Sequence, residues 1–263
     1  MSFSNVAAIV QKEWRHYFGS PIAWVGLFVW TMLFGAFFYF SFTFFLDYSM
    51  RTAQQAMEMG GGMKMSLNEM LIRPVMQNMA VVALFITPML TMRLFAEEKR
   101  QGTIELLATA PLRDFEIVLG KFLAAAGLYV LMILAGLLNV LLLYLYAPSK
   151  PEWKPILTGA LALFLLGCCF IAAGCVVSAM TKNQIVAGIV AFCLFLLLWI
   201  LGWADDPAAN PFWKAVAYLG VTTHMEDLMK GVIDTKDVIF YLSFIGFGLF
   251  VTQQTLESQR WRA

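Results

Sequence analysis

Six stretches of the chain are strongly apolar and contain no Asp, Glu, Lys or Arg: Ile22–Leu46, Pro74–Met92, Phe122–Ser149, Pro155–Thr181, Asn183–Ala204 and Val238–Leu256. A helix that crosses a bilayer takes about 20 apolar residues, so each stretch is a candidate span. The runs are continuous rather than alternating, which predicts helices and not the strands of a membrane barrel. The last, at 19 residues, would cross with little tilt. Only Lys182 lies between the fourth and fifth, which predicts a tight hairpin. Pro88 in the second span predicts a kink. The third and fourth spans carry small-residue faces, such as Gly174 with Ser178, that permit close packing. Asn139 is the most deeply placed strong hydrogen-bonding side chain and is expected to face another helix. The first span is crowded with aromatics between Phe28 and Phe45. These fill space against lipid or line a lateral opening for a greasy cargo.

The polar segments between the spans are patterned too. Residues 3–18 read as an amphipathic helix with Phe3, Val6, Val10, Trp14 and Tyr17 on one face. Asn5, Lys12, Arg15 and His16 fall on the other, a pattern suited to the headgroup layer. Gly19-Ser20-Pro21 then turns the chain into the first span. Residues 47–73 read as a loop with Met57, Met59, Met63 and Met65 around Gly60-Gly61-Gly62. Thioethers favour Cu(I), but no Cys or His stands beside them, so apolar packing is the preferred reading. Gly62 and Lys64 are separated by Met63, so the run is not a phosphate loop. Residues 205–237 read as two short helices forming a lid over one mouth of the bundle. Asn210-Pro211 starts the first, and Phe212, Trp213 and Tyr218 form its apolar face. Thr223 to Glu226 form a capping box for the second, Gly231 ends it, and Asp234 or Thr235 caps the last span.

Composition agrees with the pattern. Of 263 residues, 60% are hydrophobic and 13% charged, about half the charged fraction of a soluble domain. Mean hydropathy is +0.74. The fold expected is an all-α integral membrane protein with six transmembrane helices in a single domain, 1–263. A net charge of +1 offers no basic face for nucleic acid. His16 and His224 are far apart, so no metal site is indicated. Cys168, Cys169, Cys175 and Cys193 are expected to be buried thiols. The N-terminal segment lacks the features of a cleaved signal and is expected to be retained. Six spans put both termini on one side. That side holds ten of the 18 Lys and Arg residues, which orients the termini to the cytoplasm.

One polar segment stands apart. Arg93 to Lys121 holds ten of the 35 charged residues, between two long apolar runs. Glu97-Glu98-Lys99-Arg100 reads as a charged helical turn. Gly102 breaks it, Thr103 caps a new short helix through Ala108, Ala110-Pro111 ends that helix, and Asp114 caps the third span. Ile104, Leu106 and Leu107 are then available to fit a groove. A short rigid helix here can receive a push and move two spans together.

The run Phe95 to Leu107 (FAEEKRQGTIELL), followed by Thr109-Ala110-Pro111 and Gly120-Lys121, resembles the coupling region of type-2 ABC exporter permeases. The gliding-motility type is the nearest likeness. Lys12-Glu13-Trp14 through Pro21 resembles that family's N-terminal elbow helix, and His224 through Asp237 its outer segment before the last span. The methionine-rich loop departs from the family pattern. The resemblance implies a six-span half-transporter in a bacterial inner membrane. It implies pairing with a second copy or a homologous permease, and with a cytosolic ABC ATPase that carries the ATP and Mg. Membrane lipids and an outer-side accessory protein complete the expected partners. Glu97, Glu98, Gly102, Thr103, Ile104, Glu105, Leu106, Leu107 and Pro111 would contact or couple to the ATPase. Phe212, Trp213, Tyr218, Thr223 and Glu226 would form the outer gate. The chain has no phosphate loop and should hydrolyse no ATP itself.

Three other classes compete. An ion-coupled transporter keeps ionisable groups within the membrane, and the six apolar windows have none. An intramembrane enzyme would need a nucleophile, a carboxylate pair or a histidine cluster. A purely structural anchor of a motility or envelope complex would not need a capped lid or a patterned island.

Overall fold

The computed structural model describes residues 3–59, 66–103, 113–146, 150–204 and 210–260. The described residues form helices α1 (Phe3–Gly19), α2 (Pro21–Met59), α3 (Arg73–Thr91), α4 (Ala96–Gln101), α5 (Asp114–Tyr146), α6 (Trp153–Met180), α7 (Gln184–Leu201), α8 (Pro211–Tyr218), α9 (Glu226–Met229) and α10 (Thr235–Arg260). No strand occurs among them. Six helical stretches are long and apolar enough to cross a bilayer: Ala23–Gln54, Asn68–Gln101, Asp114–Tyr146, Trp153–Met180, Gln184–Leu201 and Thr235–Gln259. The six spans read from hydropathy are therefore present, each close to its expected place.

The helices outlast the apolar windows. Residues 47–59 are not loop but the continuation of α2. The segment DYSMRTAQQAMEM has no Gly or Pro, is rich in good helix formers, and carries an Asp47–Arg51 pair at 3.8 Å one turn apart. Of the methionine-rich run, residues 60–65 lie outside the described residues. A single π turn, Asn68–Ile72, leads into α3. Pro88 lies inside α3, which ends three residues later, after the Thr87 and Thr91 hydroxyls have bonded Ala83 O and Thr87 O. The Asn139 amide donates to Gly136 O, 3.2 Å away on its own helix.

The hub is α6. Nearly every turn of it is buried, and it packs against α3, α5, α7 and α10. Close approach comes from glycine. A Cβ built at Gly174 would lie 2.3 Å from Thr91 Oγ1, and one at Gly167 would lie 2.0 Å from the Tyr129 ring. Gly174 thus serves the contact with the second span. The α6–α7 hairpin is as tight as expected. Asn183 caps α7, its Oδ1 accepting from the Ile185 amide at 2.9 Å. By contrast α7 buries one narrow face, Ala187, Ala191, Phe195 and Leu198. Cys193 lies off that face and is exposed, whereas Cys168, Cys169 and Cys175 are buried free thiols. The aromatics of α2 divide the same way: Trp30 and Phe34 enter the core, while Phe28, Tyr39, Phe40 and Phe44 face outward.

One end of the bundle gathers α1, α4, the start of α5 and the ends of α6 and α10. Lys99 Nζ and Gln259 Nε2 both donate to Ala179 O near the C-terminus of α6. The other end carries α8, α9 and the turns around them.

Candidate functional site

The site begins with α1 lying along α5. Val6, Ile9 and Glu13 form the buried face of α1, at three- and four-residue steps. This face is rotated from the Val6–Val10–Trp14–Tyr17 stripe read from hydropathy, and Phe3 is exposed. Glycines on α5 set the rotation. A Cβ at Gly120 would sit 2.7 Å from Ile9 Cγ2, and one at Gly127 would sit 2.7 Å from Trp14 Cζ2. Trp14 Nε1 donates to Ala124 O at 3.1 Å, and Asn5 Nδ2 to Glu116 Oε2 at 3.0 Å. Seated this way, α1 brings the Glu13 carboxylate against Lys121.

A second route brings in Glu98. The Ser178 hydroxyl accepts from the Phe95 and Ala96 amides at 3.0 and 3.1 Å, and itself donates to Met92 O. A residue of α6 thereby caps α4 across the core. Glu97 and Glu98 occupy the first turn of α4 and Lys99 and Arg100 the last, each favoured there by the helix dipole. Gly102 ends the helix at φ +70°, a left-handed conformation that suits glycine.

Glu98, Glu13, Lys121 and Lys12 meet in one cluster. Lys121 Nζ lies 2.8 Å from Glu13 Oε1 and 3.0 Å from Glu98 Oε1. Lys12 Nζ lies 2.8 Å from Glu98 Oε1 and 3.8 Å from Glu13 Oε1. The side chain of Lys121 is 2% exposed, of Glu13 8% and of Glu98 13%, while Lys12 at 56% closes the cluster toward solvent. The Phe95 ring flanks Lys121, its centroid 5.4 Å from Nζ. Partial burial lowers the Lys12 pKa, but the Glu98 hydrogen bond and the fields of Glu98 and Glu13 outweigh it, and the net shift is upward. Breaking a buried pair by removing one partner costs about 3–5 kcal/mol. The cluster therefore ties α1, α4 and α5 into a unit that resists being pulled apart.

Of the residues expected to couple to an ATPase, Glu98 is in this cluster. Glu97 accepts from Gln101 Nε2 at 3.4 Å and lies 3.8 Å from His16 Nε2. Gly102 is the left-handed C-cap of α4. The Thr103 hydroxyl donates back to Glu98 O at 3.3 Å, closing α4; the short helix expected after it, through Ala108, lies outside the described residues. Ile104, Glu105, Leu106, Leu107 and Pro111 lie outside the described residues. At the start of α5, Arg113 holds the cap position and Glu116 Oε2 accepts from its amide at 3.4 Å, so Asp114 is the first helical residue rather than the cap.

At the other end, the expected capping box does not form. Thr223 lies inside a 3₁₀ turn, and its hydroxyl donates to Gly220 O at 2.8 Å. Asn210 holds the cap position of α8 but makes no side-chain bond there. Gly231 does end α9, at φ +89°, and Asp234 Oδ1 accepts from the Lys236 amide at the start of α10. Phe212, Trp213 and Tyr218 are more than half exposed; Phe212 and Trp213 pack edge to face on each other, whereas the Tyr218 ring also meets His224 at 4.8 Å and Phe240 at 5.7 Å. Glu226 is exposed and pairs with Lys230 at 3.6 Å. What fixes the segment is His224, 3% exposed. Its Nδ1 lies 2.7 Å from Asp237 Oδ1 and its Nε2 2.9 Å from Tyr218 O, and its ring stacks on Phe240 at 3.9 Å. Tyr241 adds a hydrogen bond to Val221 O at 2.7 Å.

Of the residues that organise both ends, Glu13, Lys121, His224 and Asp237 fall within the runs that carry the family resemblance and Ser178 within a small-residue face, but the sequence assigns none of them a pairing. Glu13 carried one signal: it falls four residues after Ile9 and seven after Val6, on the buried stripe of α1. Among the described residues no three His, Cys, Asp or Glu side chains converge as a metal site.

A family model, described as ABC-2 family transporter protein, matches residues 7–230. No curated protein matches the chain. The matched region runs from α1, through the cluster and five of the six spans, to the end of α9, and on that extent the chain belongs to the ABC-2 transporter family, as the multi-pass membrane permease component of an ABC transporter.

Proposed function

We propose that this permease is driven by a separate cytosolic ATPase subunit and exports an apolar or amphipathic cargo. The observation that carries the reading is the Glu13–Lys121–Glu98 cluster. It joins the charged island to the N-terminal helix and to the third span through buried charge pairs. ATPase closure would push residues 103–111, and α4 would hand that displacement to α1 and α5 together. Family membership supports the ATPase partner. ATP and Mg belong to that partner, and this chain supplies the groove-filling residues Ile104, Leu106 and Leu107 and the transmitting cluster. The Lys and Arg distribution supports an inner-membrane location with both termini in the cytoplasm. On this reading α8, α9 and the His224–Asp237 clamp form the outer gate, and the exposed Phe212–Trp213 face would meet the second permease of a dimer. The likeness to gliding-motility permeases is the nearest subtype.

An ion-coupled mechanism is less well supported. Buried charges do exist in the chain, but Glu13, Lys121 and Glu98 are paired with one another and Asp237 is paired with His224. The test is co-expression with a candidate ATPase subunit. Wild-type permease retains it through purification, and scrambling residues 103–110 abolishes retention while membrane insertion persists. Undiminished retention in the scrambled protein would sink the docking model.

A further inference from the structure

Beside the cluster lies a cavity of about 380 Å³, framed by α1, α2, α3, α4 and α5. Its walls are of two kinds. Met89, Leu90, Leu94 and Leu128 make one side apolar, and Lys12, His16, Tyr17 and Arg93 make the other polar. Its acidic lining residues already have basic neighbours: Glu13 and Glu98 meet Lys121 and Lys12, and Glu97 lies near His16. Arg93 stands apart. Among the described residues its guanidinium has no ion pair, and its Nε is buried without a hydrogen-bond partner. The Tyr17 hydroxyl and Glu98 Oε2 are likewise buried and unpartnered. Buried polar atoms in native proteins are nearly always satisfied, so the two orphaned donors, Arg93 Nε and the Tyr17 hydroxyl, point to an acceptor ligand, and the orphaned acceptor Glu98 Oε2 calls for a donor such as a headgroup hydroxyl. The ligand must accept from a guanidinium and a phenol, and it must also present apolar surface.

We infer that this cavity binds the phosphate headgroup of an anionic membrane phospholipid. Arg93 and the Tyr17 hydroxyl donate to the phosphate oxygens, and the acyl chains leave past Met89. That side chain is 54% exposed on the bilayer-facing side of α3. A guanidinium matches two phosphate oxygens in one plane. The polar rim, with Lys12 and His16 both exposed, lies at the headgroup level where α1 meets the first span. The inference rests on the chain spanning a bilayer and not on the ATPase coupling, so it can fail or stand by itself.

The test uses the purified full chain without any ATPase. Phosphatidylglycerol, phosphatidylcholine or inorganic phosphate is added back, and bound species are counted by native mass spectrometry. One phosphatidylglycerol per chain is expected to survive detergent exchange, with about tenfold less retained in Arg93→Gln, the effect of losing one charge-assisted pair. Tyr17→Phe, which removes only an orphan hydroxyl, should also lower retention while leaving lipid-free melting unchanged. It carries the test if Arg93→Gln does not fold. Equal retention in both variants and the wild type, equal retention of phosphatidylcholine, or stoichiometric inorganic phosphate without lipid would each overturn the proposal.

Discussion

Replacing Lys121 by methionine probes the cluster at its centre. Methionine fills nearly the same volume but removes the cation that lies 2.8 Å from Glu13 and 3.0 Å from Glu98. Two carboxylates, 8% and 13% exposed, would then face one another. Losing one partner of a buried pair costs about 3–5 kcal/mol. Lys12 still bonds Glu98 and lies 3.8 Å from Glu13, which places the loss near the lower limit, at about 3 kcal/mol. The double variant Lys121→Met with Glu13→Gln removes the stranded carboxylate and should recover about 1–2 kcal/mol, since groups in one ion network couple by amounts of that order. The assay is thermal unfolding in detergent of the wild type, both single variants and the double. The expected order has Lys121→Met least stable and the double variant above it. Strict additivity, with the double variant below both singles by the sum of their losses, would show that the groups do not interact and that α1 is held by apolar packing alone.

Other sites give independent checks. Ser178→Ala strips the acceptor from the Phe95 and Ala96 amides and should cost about 1 kcal/mol, as the loss of a helix cap does; hydrogen exchange should speed up at those two amides and leave mid-α6 protected. Gly174→Ala drives a methyl group to within 2.3 Å of Thr91 Oγ1, and overpacking of this kind costs about 1–3 kcal/mol, read as a lower melting temperature. Gly102→Ala meets no neighbouring atom, so its penalty is the left-handed backbone alone, about 1–2 kcal/mol; Gly102→Asn should cost less, and equal losses would argue against that cause.

What the chain declared in advance and what it withheld follow from the range of the interactions. Spans are a local property: an uncharged run about 20 residues long has few alternatives to a membrane helix. The ends of those spans were less legible, because helix propensity continues where hydropathy stops. That is why α2 runs on to Met59. Glu13 and Lys121 are 108 positions apart, and no spacing rule connects them. Their meeting depends on Gly120 and Gly127 admitting Ile9 and Trp14, a detail of packing. The role of His224 is hidden for the same reason, since Asp237 and Phe240 reach it only after the chain has turned at Gly231. Ser178 was read as a small residue for helix packing, and its hydroxyl instead caps α4 across the core.

The central claim is that force from an ATPase enters at the charged island. A photo-crosslinking amino acid at position 106 or 107, in permease co-expressed with its ATPase subunit, tests it without knowledge of the cargo. The account predicts an adduct with the mass of permease plus ATPase, strengthened or weakened by nucleotide. Crosslinks only to lipid, or only to the permease itself, would contradict it.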